Sequence, residues 1–497
     1  MKKKFKSWVR KIGSAVLLAA VVSMLPAFSA KAVTASGAIA KGIDVSKHNG
    51  AVNWEQVAAS GVQFVFIKAG STNSGVDPQF AANITGAQAA GLKTGVYLYS
   101  YATTPEQAAN EASLILQWIA PYTVNYPVVF DIEDKCHKGL SNQQLIDIIN
   151  AFCVPIDAAG YHPMVYSNKN MFTQRMDNAG WDRWVAQYAD SCETGNNVCF
   201  WQYSSKGRVN GIGGNVDLNY QYKDYSKLII PEGFLEHNGN VRFYQNWRMQ
   251  RGWVSYNDTR YYLDEAGNLV RGWFSDPSGT YYLSPADGSI ARGQCQVDGA
   301  DFYFTAEGVK TSGWVVLNEQ KFFYAPANNG IMKREWLSDE KGNIYFFDRA
   351  DGHMLTGAQV IDNAEFLFNA EGIRQQGWVS LENGTFYYDP ATGAKVKGFF
   401  DDAKGRHYLA PDDGHMVTGP VTVDKQDYFF NAEGVMAVGV VDRGDGIFYY
   451  DPATGALVRN GTLEIDGAAY TTTPDGVLVK VEAPAPEGEA APQEGQN

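Results

Sequence analysis

The residues with chemical potential in this chain cluster where apolar runs end. In "PVVFDIEDKC", residues 127–136, Asp131, Glu133 and Asp134 follow directly on Val128, Val129 and Phe130. Residues i and i+2 of a strand project to one side. Asp131 and Glu133 are therefore expected to point together, with Ile132 and Asp134 facing away. Two crowded carboxylates cannot both ionise cheaply, so one keeps its proton toward neutral pH. An acid that donates to a leaving oxygen beside a second carboxylate is the chemistry of glycoside hydrolysis. Asp44 in "GIDVS" and Asp217 in "NVDLN" occupy similar strand contexts. Tyr97, Tyr99, Tyr166, Tyr188, Trp201 and Tyr203 are expected around the same mouth, where rings can pack on sugar C–H faces. The competing reading has these acids capping helices or holding calcium or magnesium. Lys68 in "FIKAG" is either a buried partner for an acid or a solvated strand end. His48, His137 and His162 are not spaced to serve a nucleophile, and no G-x-S-x-G occurs.

Positioning these acids requires a scaffold. Residues 39–222 alternate strand-like and helix-like runs. The strands read 41–46, 63–70, 93–102, 126–133, 162–168, 183–189, 199–205 and 215–220. Helix candidates such as "TPEQAANEASLILQWI" separate the early strands, but the last three strands lie too close together for full helices. This order predicts a parallel barrel of five strand–helix units followed by three strands. Its rival, an open doubly wound sheet, lacks a G-x-G-x-x-G after a strand. In a barrel, Asp131 and Glu133 fall at the carboxyl end of strand four, and strands one and eight bring Asp44 beside Asp217.

The chain has 497 residues, too many for one ordinary core. Residues 1–32 read as a secretory signal peptide: a basic start, a short apolar run and an A-x-A pattern at Ala30 and Ala32. Removing them takes away seven basic residues and no acids, and moves the formal charge from −13 to −20. Nucleic acid is an unsuitable partner for such a chain, because phosphate binding needs a positive footprint. No other segment is long and apolar enough to be a membrane span. Export permits disulfides, and Cys192–Cys199 with Cys136–Cys153 is one of three possible pairings of those four cysteines. Cys295 is left over. No C-x-x-C and no clustered histidines are present, so neither a metal nor a cofactor is expected.

From about residue 240 the pattern changes. Aromatic pairs recur at Tyr261-Tyr262, Tyr281-Tyr282, Phe302-Tyr303, Phe323-Tyr324, Phe346-Phe347, Tyr387-Tyr388, Tyr428-Phe429 and Tyr449-Tyr450, with glycines about nine residues earlier. A 20–22-residue unit is a β-hairpin that cannot bury its rings alone, so stacked units form a solenoid. About eleven units fit. The expected division is a signal peptide over 1–32, a barrel domain over 33–230, repeats over 231–480 and a disordered acidic tail over 481–497.

"KGIDVSKHNGAVNW", "FVFIKAG", "GVYLYSYA", "VVFDIED", "MVYSN", "WVAQY", "FWQYSS" and "NVDLN" together resemble glycoside hydrolase family 25, the family of N-acetylmuramidase lysozymes, across about residues 40–222. The resemblance implies a (β/α)5(β)3 barrel that cleaves the β-1,4 bond between N-acetylmuramic acid and N-acetylglucosamine in peptidoglycan. It implies Glu133 as general acid. Asp131 would position the substrate's acetamido group or stabilise the oxocarbenium-like centre, and Asp44 and Asp217 would complete the site. Many relatives carry K-A-x-E-G after strand two, whereas this chain reads "KAGSTNSG".

The second half resembles the wall-binding repeats of choline-binding and glucan-binding proteins, as in "RGWVSYNDTRYYLDEAGNLVRGW". It implies Trp253, Trp273, Trp314, Trp336 and Trp378 as ligand-contacting rings. The place of the second cage tryptophan holds Arg260, Thr280, Asp301, Phe322 and Phe386, which favours a surface glycan or other wall polymer over choline. The combined expectation is a monomeric, secreted, wall-associated peptidoglycan hydrolase. The alternatives are an inactive wall-binding adhesin or an N-acetylglucosaminidase.

Overall fold

The computed structural model describes residues 33–194 and 197–482. The expected signal peptide and nearly all of the expected tail lie outside the described residues. No helix among the described residues is long and apolar enough to cross a membrane.

The barrel expectation holds. Its strands are β1 (Ala40–Val45), β2 (Phe64–Ser71), β3 (Lys93–Tyr99), β4 (Val128–Asp131), β5 (Pro163–Asn168), β6 (Asp182–Ala186), β7 (Val198–Gly207) and β8 (Val216–Gln221). Strands β1 to β7 are parallel to their neighbours, with β1 paired to β2. Strand β8 runs antiparallel to both β7 and β1 and closes the ring. Five helices follow the first five strands: α1 (Trp54–Ala59), α2 (Phe80–Ala89), α3 (Pro105–Ile119), α4 (Asn142–Ala158) and α5 (Lys169–Gln174). Local chemistry sets their starts. Thr104 accepts from Gln107 N with Pro105 in the first turn of α3, and Ser141 with Gln144 closes a capping box on α4.

Period-two alternation divides the strand residues between two apolar layers. Phe64, Phe66, Val129, Met164, Tyr166, Trp184, Phe200 and Tyr225 fill the barrel interior. Val65, Ile67, Val128, Phe130, Val165 and Val185 face the helices, where they meet Ile115, Ile148 and Phe152. The end opposite the acid-rich mouth is closed by Asp182, which accepts from Tyr225 (2.8 Å), Lys223 (2.7 Å) and His162 (2.8 Å). Burial alone would raise its pKa, but hydrogen bonds from His162 and Lys223 outweigh burial and hold this carboxyl well below its usual range.

All five cysteines are free thiols, so neither expected bridge is formed. The sheet itself explains this. Cys192 packs with the outer layer, whereas Cys199 belongs to the barrel interior. Cys153 is buried between sheet and helices, while Cys136 lies at the mouth, 3.9 Å from Tyr101 O.

The repeats form twelve small antiparallel sheets between Glu232 and Lys480, one more than the sequence count. The extra unit, Glu232–Gln245, lacks the G-W start and the regular aromatic pair. The recurrent glycine opens most first strands with positive φ, for example +72° at Gly252 and +92° at Gly313. Glu335 takes the same place in the Trp336 unit at φ +63°. Within most second strands, alternate residues are buried, as with Phe322 and Tyr324 or Phe386 and Tyr388. The compact unit that contains the barrel continues through Phe274 and takes in Tyr282–Ile290; a second unit comprises Ser275–Tyr281 and Ala291 onward. The first hairpin is tied to the barrel end opposite the mouth: His237 Nε2 lies 2.9 Å from Asp157 Oδ2 at the end of α4, and Arg248 donates to Tyr122 O at 3.2 Å.

Candidate active site

The four proposed acids converge on one mouth. Asp44 lies near the end of β1 and Asp131 is the last residue of β4. Because β8 is antiparallel, its start, not its end, reaches this face, and Asp217 sits there directly opposite Asp44. Like charges in that register repel. Strand β4 stops at Asp131, so Glu133 stands on the loop beyond it rather than on the strand. The alternation still aims correctly: Val129 and Asp131 turn inward, while Phe130 and Ile132 turn to the helices. Asp134 goes elsewhere, as expected. It accepts from Tyr99 OH (3.1 Å) and caps the following turn through Cys136 N (2.9 Å).

A fixed network holds Asp44. Its Oδ2 accepts from Gln202 Nε2 (3.0 Å) and Asn219 Nδ2 (2.8 Å). Gln202 Oε1 accepts from Tyr166 OH (3.0 Å) and Tyr188 OH (3.1 Å), and Asn219 Oδ1 accepts from Trp184 Nε1 (2.7 Å). Burial, then the neighbouring Asp217, push the Asp44 pKa up to about 8 despite these donors. Burial also raises Asp217.

The Asp131–Glu133 pair is raised as well. For Asp131 the causes are burial and then Glu133, opposed by the Lys68 ammonium. For Glu133 they are burial and then Asp217, again opposed by Lys68. The two acids differ in access. Asp131 is buried, and its Oδ1 accepts no hydrogen bond among the described residues. Glu133 is reachable from solvent. Of the two, only Glu133 can deliver a proton to a ligand. Lys68, on the inward face of β2, resolves the ambiguity at its position. Its Nζ lies 4.7 Å from the Tyr99 ring centroid and 6.0 Å from that of Tyr97. Burial lowers its pKa, while Asp131, Asp77 and Glu133 act to restore it.

Two pH predictions arise here. In Lys68→Met, loss of the opposing ammonium raises Asp131 and Glu133 further. The basic limb of kcat/KM then moves to higher pH, measured as a full pH–rate profile; a limb moved to lower pH would contradict this electrostatic assignment. Asp44 affects stability. Its folded pKa lies above the unfolded one, so its contribution is fully present below about pH 4 and is lost as pH rises toward about 8. Asn at position 44 keeps both amide contacts through its oxygen and donates toward Asp217. Asp44→Asn is expected to be the more stable protein at pH 8 and equal to wild type near pH 4. Urea unfolding at both pH values checks this, and a destabilised variant at pH 8 would refute it.

Of the six aromatic residues expected at the mouth, four are placed there: Tyr97, Tyr99, Tyr166 and Tyr188. Trp201 and Tyr203 are not. Trp201 is 2% exposed, packs in the outer layer and donates to Gln187 O at 2.7 Å. Tyr203 stacks on Tyr220 at 4.3 Å on the same outer side. Alternation along β7 turns Phe200 and Gln202 inward instead, so Gln202 is the residue that the aromatic-weighted reading missed. Trp184 and Asn219 were also missed. Both follow from the same inward parity, on β6 and β8.

In the repeats, Trp253 packs on Tyr262 and Phe274, and the Arg260 guanidinium lies 4.3 Å from its ring centroid. Trp273 is 40% exposed and lies 5.1 Å from Tyr282. Trp314 is 46% exposed beside Phe323 and Tyr345. Trp336 is enclosed by Phe346 and Phe366, with Arg374 at 5.9 Å. Trp378 donates to Asp402 Oδ2 at 3.0 Å and packs on Tyr387, Phe400 and His407. Phe399, which takes the tryptophan's place in a later unit, is 40% exposed among Tyr408 and Tyr428 and is a further outward ring.

Residues 43–212 match the model of the glycosyl hydrolases family 25, and residues 355–400 and 417–461 match that of the choline-binding repeat. Lysozyme M1 of Streptomyces globisporus is 32% identical over 199 residues, covering 36% of this chain and 66% of that protein. A solved bacterial lysozyme from Streptomyces coelicolor is 30% identical, covering 38% of this chain and 94% of that one, with a TM-score of 0.33. Glucosyltransferase-S of Streptococcus mutans is 27% identical over 253 residues, 49% of this chain; the match spans only 17% of that longer protein. On the barrel, its closing strand and the matched residues, the chain belongs to the glycosyl hydrolases family 25.

Proposed function

We propose that this protein is a peptidoglycan hydrolase that cleaves the β-1,4 bond between N-acetylmuramic acid and N-acetylglucosamine. The reading rests on the Asp131–Glu133 pair, whose pKa values are raised by burial first and by neighbouring carboxylates second, and whose exposed member can reach a glycosidic oxygen. Glu133 donates that proton as the C1–O bond breaks, leaving positive charge at C1 and the ring oxygen. Asp131 Oδ1, buried and without a hydrogen-bond partner among the described residues, accepts the acetamido N–H and turns the acetamido oxygen toward C1. Glu133, now a carboxylate, takes a proton from the water that completes hydrolysis. Asp44 keeps its proton at neutral pH, so negative potential beneath the developing cation comes from Asp217. Lysozyme relatives and the family match support the substrate assignment.

The repeats are proposed to hold the enzyme on cell-wall polymer, which raises its local concentration at an insoluble substrate. The outward rings of Trp273, Trp314 and Phe399 are the proposed contacts. Own cations cover Trp253 and Trp336, which favours a glycan or another wall polymer over a quaternary ammonium at those two. Incubation of insoluble sacculi with the full chain is expected to release soluble muropeptides. Trp314→Ala combined with Phe399→Ala is expected to weaken co-sedimentation with sacculi several-fold while leaving cleavage of soluble glycan fragments unchanged. Unaltered co-sedimentation would remove these rings from the wall contact.

A further inference from the structure

A cavity opens on the mouth side of the barrel, of about 440 Å³ and lined by the polar residues Thr72, Asn73, Tyr101, Gln107 and Asn110, the carboxylates Glu106 and Glu111, and Ala102. That volume is in the range of small-ligand sites. Thr72 and Asn73 follow β2, Tyr101 and Ala102 follow β3, and the rest lie on the first turns of α3. All three segments leave the barrel on the face that carries the acids. The cavity also touches the catalytic end physically. Tyr101 packs on Tyr99 at 5.2 Å, and Tyr99 in turn meets Asp134 and Lys68.

The lining is built rather than incidental. Glu111 is 1% exposed, and its carboxylate accepts from Thr72 Oγ1 (3.0 Å), Ser100 Oγ (2.6 Å) and Tyr101 N (3.0 Å). It thereby pins the two mouth loops against α3. Glu106 and Asn110 stand one turn apart on α3 and share a face. Glu106 is exposed, and hydrogen bonding at the helix start keeps its carboxyl ionised. No lysine or arginine lines the cavity. A charged ligand here must be cationic, and the amide groups call for a peptide-like or similarly polar partner.

We propose that this cavity binds the amine-bearing peptide stem of the muramic acid unit, with Glu106 receiving the ammonium group. The proposal rests on the hydrolase reading above, because the stem is joined to the very sugar whose bond is cleaved. An extended stem of four residues spans about 13 Å, a reach that suits a cavity one aromatic pair away from the catalytic acids.

The test uses the full chain and three soluble glycan substrates: strands with native stems, the same strands with stem amines N-acetylated, and strands stripped of stems by an amidase. Wild type is expected to cleave native strands with KM about twofold to fivefold lower than either modified form, and added salt should shrink the difference. Glu106→Gln should erase the preference without changing the rate on stripped strands, and Glu106→Lys should reverse it for native stems. Equal KM on all three substrates, or a preference that survives in Glu106→Gln, would overturn the stem site while leaving the hydrolase reading intact. Absence of cleavage on every substrate would defeat the hydrolase reading and the stem site with it.

Discussion

Glu133→Gln is expected to lower kcat on peptidoglycan by about 10³-fold with little change in KM, the usual weight of a general acid. The amide keeps the shape and removes the transferable proton. Asp131 cannot replace it, because that carboxyl is enclosed at the end of β4. The loss should be far smaller on a substrate with an activated aryloxy leaving group, which needs no protonation. Equal losses on both substrates would assign Glu133 a binding role instead. The fold should be unaffected, since Glu133 sits on a solvent-reachable loop beyond the strand.

Asp131→Asn is expected to cost about 10²-fold in kcat. Its Oδ1 has no partner among the described residues, so the carboxylate is free to take the acetamido N–H. An amide in its place can present its own N–H to that donor and lose the contact. The effect should depend on the substrate's acetyl group. On glycan strands de-N-acetylated at the muramic unit, wild type should fall to the level of Asp131→Asn, and the variant should lose little more. A full additional loss in the variant on such strands would place Asp131 in direct stabilisation of C1 rather than in orienting the acetamido group.

Much of the site was legible because a strand has a simple parity. The D-x-E spacing placed Asp131 and Glu133 on one side, and that relation survives even though β4 ends before Glu133. Strand order alone brought Asp44 to Asp217, since a closed ring makes first and last strands neighbours. The failures share a cause. Trp201 and Tyr203 were chosen by ring chemistry, but parity along β7 sends them outward and sends Gln202 in. A polar residue between two aromatics carries little signal until its strand phase is known. The cysteine pairing failed for the same reason, because proximity in sequence says nothing about which side of a sheet a thiol occupies. The first repeat was missed because Glu232–Gln245 keeps the hairpin but not the glycine and ring pattern. The cavity at Glu106 had no sequence mark, as it joins the loop after β2 to the loop and helix start after β3, which lie apart along the chain.

The most direct measurement is the identity of the sugar ends released from purified peptidoglycan. Digestion by the full chain, followed by borohydride reduction and mass spectrometry, should yield reduced N-acetylmuramic acid ends, and these should be nearly absent with Glu133→Gln. Reduced N-acetylglucosamine ends would mean that the other glycosidic bond is cut. No new ends from wild type would contradict the hydrolase account itself.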